Sequence, residues 1–233
     1  MDVFLLLYSK MVICLNNEEY NESLNERLLK IKELREAAKS VARGIIGNTL
    51  YKEDLFFTSA LDRSVALLDG IVNMLKERNL TCVGILVRSQ IDNCMRIFAA
   101  FIAEDKTAFI DGYLHGKKIS DFKDDHGNKM KDVVLRERLK EYDFRISDVY
   151  KKSSGYIHLS VVALYSSTCV KDNYRIGCSV GLPPKEEANE ILLEGADAFI
   201  HYTLLEYRLL QAVVESKEGV DNNLNPSEVE FND

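Results

Sequence analysis

The stretch KKSSGYIHLS, Lys151 to Ser160, sets two ammonium groups, a run of hydroxyls and one imidazole close together. Histidine is the side chain whose ordinary titration falls near neutrality, so His158 could take or give a proton in an acid-base step. Lys151 and Lys152 set cations a few residues upstream of it, and Ser153, Ser154 and Tyr156 add hydroxyls between. On an ideal helix Lys151, seven positions before His158, shares its face most closely. Lys152 is rotated away by roughly 120° unless Gly155 bends the chain. The competing reading is a helix histidine with a structural hydrogen bond and two lysines upstream by chance.

A second constellation is Arg88, Asp92 and Arg96, which follow at four-residue steps and stack on one helix face, flanked by Val87, Ile91 and Ile97. A charged stripe on an apolar helix must be paired or must line something. It reads either as a structural ion ladder, at the end of a bundle or along a dimer seam, or as Arg88 or Arg96 pointing into a site that binds an anion.

The other candidates are poorer. His201 falls within the apolar pattern of Phe199, Ile200, Leu204 and Leu205, where a packed helix histidine is the simpler reading. His115 and His126 lie near Asp121, Asp124 and Asp125 in a polar run, whose loop spacing does not by itself converge ligands on a metal. Neither a metal nor a cofactor is expected. GxGxxG, P-loop, GxSxG and HExxH patterns do not occur, which leaves triphosphate hydrolysis, dinucleotide redox chemistry and zinc proteolysis without support.

Helices must position these groups. The only prolines are Pro183, Pro184 and Pro226, so long helices are permitted up to residue 182. Leu24, Leu28, Ile31, Leu34, Ala38 and Val41 recur at three- and four-residue steps and predict a helix over about 21–44. A second is expected over about 52–77, after which Asn79 and Thr81 offer turn and N-cap chemistry. The third, from Cys82 to Asp105, is apolar nearly all round and belongs at the centre of a bundle. A short helical piece KTAFIDGYL and a polar surface run make up an insertion at about 105–128. A charged helix is expected at 129–142, then one capped by Ser147 and running to about Tyr165. CVKDNYRIGCSVG suits a small hairpin or ordered loop around an Asp-Asn turn. A long final helix follows Pro184. The fold class is therefore all-α: one bundle domain of five to seven helices over 21–217, with an apolar N-terminal segment at 1–20 and a polar, disordered tail at 218–233.

With 233 residues, 46% of them hydrophobic and 29% charged, the chain has the make-up of an ordinary globular protein. Its net charge of −7 argues against broad adhesion to nucleic acid, though not against a local basic patch. Five cysteines without a CxxC pair fit reduced thiols in a cytoplasmic setting. The opening MDVFLLLYSKMVICL is too short to span a bilayer and carries Asp2 and Lys10, so no membrane partner is expected; Met11 is an alternative start. The apolar N-terminal stretch and the apolar third helix offer more hydrophobic surface than a small bundle hides, which predicts a homodimer.

The all-helical pattern, the Arg-x-x-x-acid stripe on a central helix and YKKSSGYIHLS opening a late helix resemble the HEPN superfamily, the higher eukaryotes and prokaryotes nucleotide-binding domains. The likeness covers roughly Glu53 to Glu215 and is nearest to the larger prokaryotic members of unassigned function. Active members carry an arginine a few residues ahead of a histidine, and two such helices meet across a dimer to cleave RNA without metal. The resemblance implies His158 as the catalytic histidine and puts Lys152 in the arginine's place. Lysine keeps the charge but lacks the planar fork that grips phosphate bidentately. Also implied are substrate contacts from Arg88, Arg96, Lys151, Ser153, Ser154 and Tyr156, and a place in a prokaryotic toxin or defence system. Two other readings stay open: a catalytically silent HEPN-like module that binds a nucleotide, RNA or a protein partner, and a helical dimeric scaffold sealed by the Arg88–Asp92–Arg96 stripe.

Overall fold

The structure is a computed structural model that describes residues 16–158, 160, 168–171, 175–178, 180–181 and 186–223. The N-terminal apolar segment up to residue 15, Met11 included, and the tail from residue 224 lie outside the described residues. Helix α1 (Asn17–Ile46) opens on a capping box. Asn16 Oδ1 accepts the N–H groups of Glu18 and Glu19 at 2.9 and 3.0 Å, and Glu19 Oε2 accepts that of Asn16 at 2.9 Å. That box, which the apolar periodicity does not register, starts the helix ahead of the expected Asn21.

Helices α2 (Lys52–Lys76) and α3 (Leu80–Ile102) follow, with Asn79 Oδ1 accepting the Cys82 N–H at 3.1 Å as the N-cap of α3. Helix α4 (Lys106–Leu114) matches the short piece expected in the insertion. The polar run after it is more ordered than a surface loop. It holds a 3-10 turn, Ile119–Asp121, and isolated bridges pair Ala103 with Asp124 and Lys123 with Lys129. Buried Asp124 pins that run, accepting the backbone N–H groups of Asn128 at 2.7 Å and His126 at 3.1 Å.

Helix α5 (Asp132–Leu139) is shorter at both ends than expected, and α6 (Ile146–Ile157) departs from expectation more. Its N-cap is Arg145 rather than Ser147, which stands inside the first turn. The helix stops at Ile157, short of Tyr165; residues 161–167 lie outside the described residues. Strands β1 (Thr168–Lys171) and β2 (Arg175–Cys178) pair antiparallel, Thr168 opposite Cys178 and Lys171 opposite Arg175, as the expected hairpin. Its Asp172-Asn173 turn is outside the described residues. A 3-10 turn, Glu186–Ala188, leads into α7 (Asn189–Asn223), which extends into the tail expected to be disordered from residue 218.

The architecture is an all-α bundle built around α3, which packs against α2, α4, α5, α6 and α7. Its buried residues, among them Val83, Val87, Ile91, Cys94, Met95 and Phe98, face several neighbours at once, which is why its sequence is apolar nearly all round. Helix α1 lies along α7, with the Tyr207 hydroxyl donating to the Leu34 carbonyl at 2.8 Å and the Arg27 fork closed on Asp197 at 2.8 Å. Helix α6 runs antiparallel to α3, since Tyr156 meets Gly84 and Tyr150 meets Arg88. A Cβ at Gly84 would collide with the Tyr156 ring, so only glycine lets α6 lie this close. No helix among the described residues is long and apolar enough to cross a membrane.

Candidate functional site

The charged stripe is an ion ladder closed within one chain. Arg88, with its side chain only 8% exposed, donates from Nη2 to the Tyr150 hydroxyl at 2.5 Å and from Nε to Ser154 Oγ at 3.3 Å. Its Nη1 lies 2.6 Å from Asp92 Oδ1, and its guanidinium sits 3.7 Å from the centroid of the Tyr150 ring. Arg96 Nη2 donates to Asp132 Oδ1 at 2.7 Å and stands 3.7 Å from Asp92 Oδ1. The second carboxylate, Asp132, comes from α5 and also lies 3.6 Å from Arg88 Nη2. Two guanidiniums and two carboxylates thus satisfy one another between α3 and α5, while Tyr150 and Ser154 tie the ladder to α6. A dimer seam is not needed to neutralise the stripe. Both arginines, expected as substrate contacts or as a structural ion pair, stand ion-paired in the fold.

The residues of KKSSGYIH divide between the two sides of α6. Ser153 is buried and its Oγ donates to the Val149 and Tyr150 carbonyls at 2.7 and 3.1 Å. Tyr156 packs against Gly84; burial, then the charge of Glu194, pushes its hydroxyl above the ordinary tyrosine range. Both side chains make contacts within the fold at this helix. Ser154 is intermediate, with Oγ donating to the Tyr150 carbonyl at 2.7 Å while accepting from Arg88.

Lys151, Lys152 and His158 are exposed. Among the described residues, none of the three side chains makes a hydrogen bond or an ion pair. His158 ends the helix, its N–H donating to the Ser154 carbonyl at 3.4 Å and its backbone extended at φ −102°, ψ 147°. The helical-wheel relation between Lys151 and His158 therefore breaks at the last residue. The structure puts both lysines and the imidazole on the solvent side, without a contact that fixes the ring against either ammonium.

Beside Lys151, α5 and α6 leave a shallow open cleft of about 340 Å³ lined by Arg136, Glu137, Ser147, Asp148, Tyr150, Lys151 and Ser154. The sequence does not mark Arg136 or Ser147 as ligand contacts. The first sits in a charged helix that reads as solvated, and the second occupies the place expected of a helix cap.

Of the remaining histidines, His201 and His115 have side-chain partners within the fold. His201, on α7, is held by buried Asp143, with Nε2 3.1 Å from Oδ2 and Arg145 Nη2 3.1 Å from Nδ1. Burial works to raise the Asp143 carboxyl, but hydrogen bonds from Tyr202, the Arg145 backbone N–H and His201 overcome it and hold it below the usual carboxylate range. This doubly satisfied ring agrees with a packed helix histidine. His115 Nδ1 lies 2.6 Å from the Asp111 carbonyl. Ligand atoms of Asp124, Asp125 and His126 do fall within 4.8 Å of one another. Asp124 is already occupied by two backbone N–H groups and by Arg138 at 3.1 Å, so a cation there would have to displace a guanidinium.

Fold and site together define an all-α bundle with an internally neutralised charge ladder under a helix that presents free cations and an imidazole. Neither a family model, nor a curated protein, nor a solved structure matches the chain.

Proposed function

We propose that this chain is a HEPN-like helical protein that binds RNA on the outer face of α6. Lys151 and Lys152 meet phosphates there, and His158 is the imidazole at the end of the same face. The observation that carries this reading is the contrast along one helix. Arg88 below is ion-paired with Asp92 and Asp132 and bonded to Tyr150 and Ser154, while both lysines and the imidazole above have no partner within the described residues. Two lysines on a chain of net charge −7 give an affinity that is modest and falls with salt.

Strand cleavage is a second reading, favoured by the exposure of His158 at the helix end. His158 would take the proton of a ribose 2′-hydroxyl as its oxygen attacks the adjacent phosphorus. The bond to the 5′-oxygen would break, and that oxygen would take a proton from solvent water, giving a cyclic phosphate and a 5′-hydroxyl end, while His158 returns its proton to solvent. Lys152 would steady the charge on the phosphate. Efficient proton transfer needs an oriented ring, and a homodimer that brings a second α6 against the first would supply that orientation. Such cleavage is the chemistry that a cytoplasmic toxin or defence protein of the resembled family would use.

Pure protein incubated with mixed RNA in chelator tests both readings. Retention of RNA at low salt, weakened by Lys151→Ala with Lys152→Ala, is the expected result; no retention by the unaltered chain contradicts the proposal. Cyclic-phosphate ends that disappear with His158→Ala would support cleavage. Equal cleavage by the variant removes His158 from the chemistry.

A further inference from the structure

Nearly every arginine that the bundle covers has a hydrogen-bond partner. Arg27 closes on Asp197, Arg78 on Asn17 and Asn189, Arg88 and Arg96 on the ladder, and Arg138 on Asp124 and Asp125. Arg136 differs. Its side chain is only 22% exposed, yet its guanidinium donates no hydrogen bond among the described residues. Its nearest carboxylate oxygen is Glu137 Oε1, at 3.7 Å, and Glu137 is itself held by Lys140 at 2.6 Å. The stem is fixed by stacking, with the guanidinium 4.9 Å from the Tyr150 ring centroid.

Two atoms at this place are shut off from water and have no partner: Nε of Arg136 and Oγ of Ser147. Desolvating a guanidinium without supplying an acceptor costs free energy, and a planar fork left open is suited to an oxyanion. Both residues line the cleft between α5 and α6, together with Lys151 and Ser154.

We infer that this cleft is a subsite for one phosphate group, gripped by the Arg136 fork and Lys151, with the Ser147 hydroxyl as a further donor. Glu137 and Asp148 also line it, so its two cations face two carboxylates. That balance suits a single phosphate whose neighbouring groups donate hydrogen bonds, such as ribose hydroxyls, and disfavours a dense polyanion. The subsite shares Lys151 with the RNA reading and deepens it, but its chemistry does not depend on His158 or Lys152.

The test titrates the full chain with inorganic phosphate at low salt while the arginine Nε–H resonances are followed by NMR. The Arg136 resonance should move saturably. Arg136→Met, which keeps a stem over Tyr150, should weaken phosphate binding roughly tenfold by removing the charge-assisted donors. Ser147→Ala should weaken it by a smaller factor, and Lys39→Ala, on α1 and not in the cleft lining, should leave it unchanged. Unaltered phosphate affinity in a folded Arg136→Met chain overturns the inference, as do shifts confined to the surroundings of Lys152 and His158. An RNA oligonucleotide added to the phosphate-loaded chain separates the sources of the group. Displacement of phosphate marks a strand phosphate as the occupant, whereas RNA that binds nowhere while phosphate stays bound marks a free phosphate and removes only the RNA reading.

Discussion

Helix α6 has two sides, and they treat charge in opposite ways. Toward α3 it meets Arg88, whose guanidinium is enclosed by Asp92, Asp132, Tyr150 and Ser154. Toward solvent it carries Lys151, Lys152 and His158 without a partner among the described residues, and at its edge Arg136 with an open fork. A charge that the fold encloses must be answered by the fold, because removing one member leaves the others desolvated and unpaired. A charge left in water costs little and remains free to meet a ligand. The inner side therefore reads as structure and the outer side as the place for binding.

The largest expected effect is on the inner side. Arg88→Ala strips the counter-charge from Asp92 and a donor from Tyr150, and should lower stability by about 3–5 kcal/mol, measured by urea unfolding. A loss below about 1 kcal/mol would mean that the ladder is not enclosed as described.

The core holds one exception to the pairing rule. Asp54, Asp124 and Asp143 are buried carboxyls with Lys217, Arg138 and Arg145 beside them. Glu206 is fully buried and has no ion-pair partner among the described residues. It accepts from Gln90 Nε2 at 2.5 Å, while its own Oε1 and that of Gln90 are unpartnered. A proton on the carboxyl turns one of those acceptors into a donor. Burial pushes Glu206 up to about 8, against the pull of hydrogen bonds from Ser64 and Gln90 and the charge of Arg63. Because the folded value lies above the ordinary 4.5, the contribution of Glu206 to stability should be fully present in acid and be lost as pH rises from about 4.5 to about 8, opposite in sign to that of carboxyls held low, such as Asp143. Glu206→Gln should remove that slope and stabilise the chain by roughly 3 kcal/mol at pH 7, seen in unfolding curves over this pH range. A variant with the same pH slope as the unaltered chain would show that Glu206 is charged in the fold.

The smallest expected effect on stability belongs to the outer side. Lys151→Ala and Lys152→Ala should each change it by less than about 0.5 kcal/mol, since neither side chain holds anything in the fold.

How much of this was legible in the sequence follows from how local each signal is. Helices α1 to α4 and α7 were readable because their apolar spacing and the Asn79 cap act within one or two turns. The ends of α5 and α6 were not. Their limits go with tertiary partners: Asp132, the first residue of α5, pairs with Arg96, and Asp143, just ahead of α6, holds His201. The stripe on α3 was visible, but its answering carboxylate Asp132 and the ring of Tyr150 come from elements far along the chain. Arg136 could not be singled out, because a guanidinium with only a loose 3.7 Å ion pair and no hydrogen bond among the described residues is a property of its surroundings. That α6 turns Ser153 toward its own carbonyls and the Tyr156 ring toward Gly84 was not visible either, since it depends on how α6 packs on α3.

The most direct test of the division between the two sides of α6 is the salt dependence of RNA affinity for the chain lacking both outer lysines. Each phosphate contact on a single strand contributes a slope of about −0.7 in log affinity against log salt. Replacing Lys151 and Lys152 by alanine should flatten the slope by roughly 1.4 while the unfolding midpoint stays where it is. An unchanged slope, or a chain that loses its fold with the two lysines, would contradict the assignment of binding to that face.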